Sequence, residues 1–140
     1  TFWKILAQWG SWRKPVRLGF DEAVYSTLHL LPREERRQTY DAFVWESGRA
    51  VWEIGCWFLD GDRAAHVDEQ GITCPMLVVG GGKDRMVPAS VVRQVAHKYG
   101  DVASYKEVPS HAHWIIAEPG WEDVAADVAA WLESSRGDGG

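Results

Sequence analysis

Asp84 and His113, 29 residues apart, are the side chains whose types and setting suit acid–base chemistry. Asp84 closes Gly80-Gly81-Gly82-Lys83-Asp84, directly after the apolar run Pro75-Met76-Leu77-Val78-Val79. His113 lies in Ser110-His111-Ala112-His113-Trp114, which Pro109 separates from the segment 102–108. A carboxylate held against one imidazole nitrogen fixes the tautomer and stabilises the imidazolium. The other nitrogen is then free to take a proton from a nucleophile.

For the two to meet, their loops must leave neighbouring strands at the same edge of a sheet. The run 75–79 is continuously apolar between Pro and Gly, as expected of a strand covered on both faces. Pro88 opens a helix carrying Val91, Val92, Val95, Ala96 and Tyr99, with Gly100 as its stop. Residues 102–108 form the next expected strand, although their period-two signal is poor. Two strands joined through a helix make a right-handed parallel unit. Adjacent strands lie about 4.8 Å apart, and functional loops gather beyond their carboxyl ends. The three glycines before Lys83 are expected to let the chain turn sharply off its strand. Pro119 then starts a last helix with Trp121, Val124, Ala125, Val128 and Leu132 on one face, and the polar tail from Ser134 to Gly140 is expected to fray.

The first 61 residues differ in character. Trp3, Trp9, Trp12, Trp45, Trp52 and Trp57 all fall there. Helical spacing marks Phe2, Ile5, Leu6 and Trp9, then Val24, Leu28 and Leu31 behind a capping Asp21. A third helix is expected from Pro32 through Tyr40, Val44, Val51, Ile54 and Phe58 to about Leu59, with acids in its first turn. The chain thus divides into a helical segment, 1–61, and an α/β segment, 62–140.

The net charge of −5 gives no basic field for nucleic acid or an anionic membrane surface. No apolar run approaches a bilayer span and no charged-then-apolar signal opens the chain, so a cytoplasmic location is the expectation. Cys56 and Cys74 are expected as reduced core residues, since two cysteines do not make a disulfide framework. Two strands with a single connecting helix leave edges and faces bare. Further strands from sequence upstream of Thr1, or from another chain, are therefore expected to cover them, and bare edges favour self-association.

Residues 75–132 resemble the carboxyl-terminal part of an α/β-hydrolase fold enzyme. The resemblance is carried by the strand 75–79, by Gly81-Gly82-Lys83-Asp84-Arg85-Met86-Val87-Pro88, by Val108-Pro109-Ser110-His111-Ala112-His113-Trp114, and by the closing amphipathic helix. It implies Asp84 as triad acid and His113 as triad base. His113 is preferred to His111 because the family writes a small residue, then His, then an aromatic. Ala112 stands where glycine is usual. Residues 1 to about 60 resemble the helical lid of such enzymes. The family's Gly-x-Ser-x-Gly elbow, which carries the nucleophile, frames none of Ser11, Ser26, Ser47, Ser90, Ser104, Ser110, Ser134 and Ser135. What the resemblance implies is a piece of a serine-nucleophile hydrolase, lid plus last two strands, acting on a small apolar ester-like substrate without metal or organic cofactor, with these 140 residues alone inactive for want of the nucleophile. The alternatives are an inactive truncated domain serving as a binding module, or half of a split enzyme.

Trp45, Trp52, His111 and Trp114 are the candidates for lining a substrate pocket, with Trp114 expected to pack its own loop before it touches substrate. His111 and His113, two residues apart, would share a strand face, but two ligands without a third make a poor metal site. Gly80-Gly81-Gly82-Lys83 lacks the Walker spacing of a phosphate loop.

Overall fold

The computed structural model describes residues 10–59, 61–63 and 66–137. In chain order the described elements are β1 (Pro15–Val16), α1 (Phe20–Ser26), α2 (Arg33–Asp41), β2 (Glu46–Ser47), α3 (Gly48–Gly55), β3 (Met76–Gly81), α4 (Ala89–Lys98), β4 (Ala103–Val108) and α5 (Trp121–Gly137), with one short 3₁₀ turn before β1 and three between later elements. Among the described residues this is a mixed α/β arrangement with one antiparallel and one parallel strand pair. The helix expected around Phe2 to Trp9 lies outside the described residues.

Asp21 does not cap α1. Gly19 holds that position in extended conformation, and Asp21 and Glu22 lie in the first turn near the positive end of the helix dipole. The helix stops at Ser26, whose hydroxyl donates back to the Glu22 carbonyl at 2.7 Å. Leu28 and Leu31 therefore leave the helix, yet with Ala23 they form the buried core of this half. Leu18, Tyr40, Phe43 and Trp114 pack around it. Trp114 comes from the far end of the chain, so this core joins the two halves.

The long third helix expected from Pro32 to Leu59 is two helices. Pro32 does start α2, and Glu34 and Glu35 occupy its first turn. After Asp41 the backbone departs, and Glu46–Ser47 pairs antiparallel with Pro15–Val16. Ser47 then caps α3 by accepting the Ala50 N–H at 3.3 Å. Gly48 is buried where any Cβ would run into the carbonyl oxygens of Ser11 and Lys14. The apolar residues keep helical phase across the break, which hides it. Ser47-Gly48 is the sole local sign.

The second half follows its expected order. β3 and β4 are parallel and in register from Met76↔Ala103 to Gly81↔Val108. α4, begun after Pro88, packs on both strands. Gly100 takes φ +60°, the left-handed geometry of a helix stop. α5 begins at Trp121, after Gly120 at φ +90°, and stays helical to Gly137 rather than fraying from Ser134. The hydroxyls of Ser134 and Ser135 both donate to the Trp131 carbonyl.

Two expectations of burial fail. Met76 to Val79 are only half-buried, because a pair of strands has too few neighbours to cover both faces. Cys56 is half-buried, Cys74 is exposed and neither is bridged. Among the described residues the buried apolar side chains are Ala23, Leu28, Leu31, Ala96, Ala112 and Val124. None of the described helices is long and apolar enough to cross a membrane.

Candidate active site

Backbone approach beyond the strand ends brings the two chemical loops together. The ladder continues past β3 and β4: the Gly82 N–H donates to the Val108 carbonyl at 2.9 Å, and the Lys83 N–H to that of His111 at 2.8 Å. Contact this close requires glycine. A Cβ on Gly81 would strike the Ala112 carbonyl, and one on Gly82 would sit 2.8 Å from Pro109 Cα. Gly80, Gly81 and Gly82 all keep ordinary negative or extended φ, so their role is close approach and not the sharp turn expected from sequence.

On this frame Asp84 is nearly buried, its side chain 7% exposed. One carboxylate oxygen accepts the N–H groups of Met86 at 2.7 Å and Val87 at 2.9 Å. The other oxygen lies 2.9 Å from His113 Nδ1. A carboxylate only accepts, so Nδ1 carries the proton of this contact, and in the neutral ring Nε2 is left with a lone pair. The His113 ring is about one-third exposed, and its side chain is within reach of an incoming group. Among the described residues no hydroxyl or thiol is hydrogen-bonded to it.

Glu118 holds the histidine loop, and sequence reading passed it over. Its side chain is essentially buried, and it accepts the Ala112 N–H at 2.6 Å and the Trp114 N–H at 3.0 Å. The backbone on either side of His113 is thereby fixed by a single carboxylate. The available signal was an acid closing the apolar stretch Trp114-Ile115-Ile116-Ala117, just before a Pro-Gly pair.

The other half of the chain closes on this site from one side. The Arg85 guanidinium stacks on Tyr25 at 4.9 Å and donates to the Tyr25 carbonyl at 3.3 Å. His29 contacts the Lys83 backbone; burial first, and the Arg85 charge second, hold its pKa below 6.5. Arg36 fixes the connecting turn by donating to the carbonyls of Leu31 and His29, each at 2.8 Å.

A cavity of about 880 Å³ lies between the halves. Its wall is mostly apolar, with Leu18, Phe43 and Val51 from one half and Met86, Val87 and Trp114 from the other. Neither Asp84 nor His113 lines the cavity, but residues close after each do, Arg85, Met86 and Val87 after Asp84 and Trp114 after His113, so the wall adjoins the dyad's two loops. Trp114 thus both lines it and packs on Phe43, at 5.5 Å between rings. The remaining three pocket candidates lie elsewhere. Trp45 is 64% exposed and borders a shallow groove, while Trp52 packs against Trp12 with the rings tilted by 57° and 6.2 Å between centroids. Their neighbours Val44 and Val51 line the cavity instead. His111 is buried behind its loop, with Nδ1 3.0 Å from the Ser110 hydroxyl and its ring against Gly120. No group of three or more metal-ligating side chains occurs among the described residues.

Comparison of the chain with protein-family models, with curated proteins and with solved structures found no match.

Proposed function

We propose that this chain contributes the acid–base half of a hydrolase of the α/β-hydrolase type, acting on an ester or related acyl bond. In this reading Asp84 orients His113. The free Nε2 takes a proton from a nucleophile and later returns it to the leaving group. The nucleophile belongs to core strands outside these 140 residues, since no Gly-x-Ser-x-Gly frame occurs within them. One observation carries the reading: the 2.9 Å contact between Nδ1 and a carboxylate whose second oxygen is already held by two backbone N–H groups. That arrangement pre-orients the ring before any substrate arrives. The first half of the chain serves as a lid over the apolar cavity.

A second reading, an inactive module that binds another polypeptide, draws on a different observation. Trp57, Phe58 and Leu59, consecutive in sequence, and Ile54 three residues before them are each more than 60% exposed. Apolar side chains grouped in this way mark surfaces that a partner covers.

Acyl transfer from p-nitrophenyl butyrate to an added small alcohol separates the two. Lacking its own nucleophile, the chain alone should show no ester turnover and no acyl-enzyme burst in water, whereas an alcohol supplied in the nucleophile's place should be acylated with the help of His113. Loss of at least about tenfold in His113→Ala supports the hydrolase reading. Equal rates for wild type and His113→Ala would leave the binding module. A His113-dependent burst without added alcohol would place the nucleophile inside this chain.

A further inference from the structure

The cavity wall contains one cation whose surroundings do not satisfy it. Arg17 lines the cavity, and a single Nη2 donates to the Tyr40 carbonyl at 2.7 Å. Its guanidinium carbon stands 4.5 Å above the Tyr40 ring, and that ring is itself fixed by a 2.8 Å hydrogen bond from its hydroxyl to the Leu18 carbonyl. Arg17 Nε is buried without a hydrogen-bond partner. Among the described residues no carboxylate lies within ion-pair distance of it. A buried donor without an acceptor is costly, and an unpaired charge beside apolar surface more so. A flexible surface arginine would avoid both by turning into water. This one is held in place by the aromatic face beneath it.

The other charged groups on the wall do not supply the missing partner. Arg85 has its own acceptor and ring at Tyr25. Glu46, the one acid lining the cavity among the described residues, is exposed and makes no ion pair. Two guanidinium groups against one solvated carboxylate leave the cavity net positive. A planar carboxylate matches the guanidinium fork in shape and charge. Val16, Leu18, Phe43, Val51, Ile54 and Met86 offer the rest of a ligand only apolar contact. The volume is within the usual range for a small molecule.

We infer that the cavity beside Asp84 and His113 takes an apolar molecule bearing one carboxylate, with Arg17 as its counter-ion. This rests on the proposed function in treating the cavity as the substrate pocket, and it narrows the substrate to an acyl compound that carries a free acid. Binding is tested without turnover, so the inference and the hydrolase reading can fail separately.

The experiment titrates the 140-residue chain with octanoate and, in parallel, with 1-octanol, by calorimetry and by ¹⁵N–¹H spectra that include the arginine Nε–H signals. Octanoate should bind at least about tenfold more tightly than octanol and shift the Arg17 Nε–H resonance. Arg17→Gln should lose at least tenfold for octanoate and leave octanol within about twofold, and Val51→Trp, which fills the cavity, should weaken both. Equal affinity for acid and alcohol, or octanoate binding untouched by Arg17→Gln, would overturn the inference. So would octanoate binding indifferent to Val51→Trp. Should Arg17→Gln unfold through loss of its Tyr40 contacts, the wild-type comparison of acid with alcohol and the Nε–H shift decide the matter alone.

Discussion

Glu118→Ala leaves the N–H groups of Ala112 and Trp114, one on each side of His113, without an acceptor. Glu118 is 1% exposed, so water reaches that space poorly. A hydrogen bond to a charged acceptor contributes about 1.5–3 kcal/mol, and an unsatisfied buried donor costs a similar amount. Two such bonds, discounted for a water entering the vacated volume, give a loss of about 3–4 kcal/mol. At roughly 3 °C per kcal/mol for a chain of this size, the melting temperature should fall by about 10 °C. Glu118→Gln keeps one acceptor oxygen but turns an amide NH₂ toward the other N–H, so about half the loss is expected. Tryptophan fluorescence on heating or in urea reads the stability, with Trp114 inside the affected core. The ¹⁵N–¹H spectrum of the imidazole reads whether His113 Nδ1–H still meets Asp84. A change below about 1 kcal/mol in the alanine variant, with the His113 Nδ1–H signal unmoved, would refute the claim that Glu118 fixes this loop.

Further expectations concern the same site. Asp84→Asn keeps an acceptor for the Met86 and Val87 N–H groups but can face His113 with an amide, so the imidazole should move from Nδ1–H to Nε2–H, with His113-dependent alcoholysis down at least about tenfold; ¹⁵N shifts that keep the original tautomer would contradict this. Gly81→Ala should push the Ala112 carbonyl away and separate the two loops, at about 3 kcal/mol in stability and with loss of the Asp84–His113 contact. Unaltered unfolding in urea would show that the backbones yield easily. His29 has a folded pKa below 6.5, so between those two values the unfolded chain binds more protons than the native one. Its contribution is complete above pH 6.5 and is lost as pH falls toward the folded value. Melting temperatures from pH 7.5 to 5.0 should therefore decline less steeply in His29→Gln than in wild type. Identical slopes would mean that His29 is as solvated as in the unfolded chain.

Local rules carried the second half well. Pro88 starting a helix, Gly100 stopping it and an apolar run between Pro and Gly becoming a strand each depend on a residue's own backbone preference, which holds in any context. The boundaries of β3, α4 and β4 follow within a residue or two. The first half misled because its signal was phase alone. Tyr40, Val44, Val51, Ile54 and Phe58 keep helical spacing across a break, and the break exists because Glu46–Ser47 found Pro15–Val16, a pairing of residues 30 and 32 positions apart that no local window contains.

The types and spacing of Asp84 and His113 were enough, without coordinates, to nominate an acid and a base on adjoining loops, because parallel-strand topology leaves such loops few other places to go. Tertiary packing alone decided what holds them. Glu118 matters because folding buries it beneath two N–H groups, Gly81 because another backbone passes where its side chain would be, and Arg17 because a tyrosine face fixes it beside an apolar hollow. Those roles arise from neighbours distant in sequence, and a carboxylate, a glycine or an arginine looks the same in one dimension whether it is buried or bathed in water.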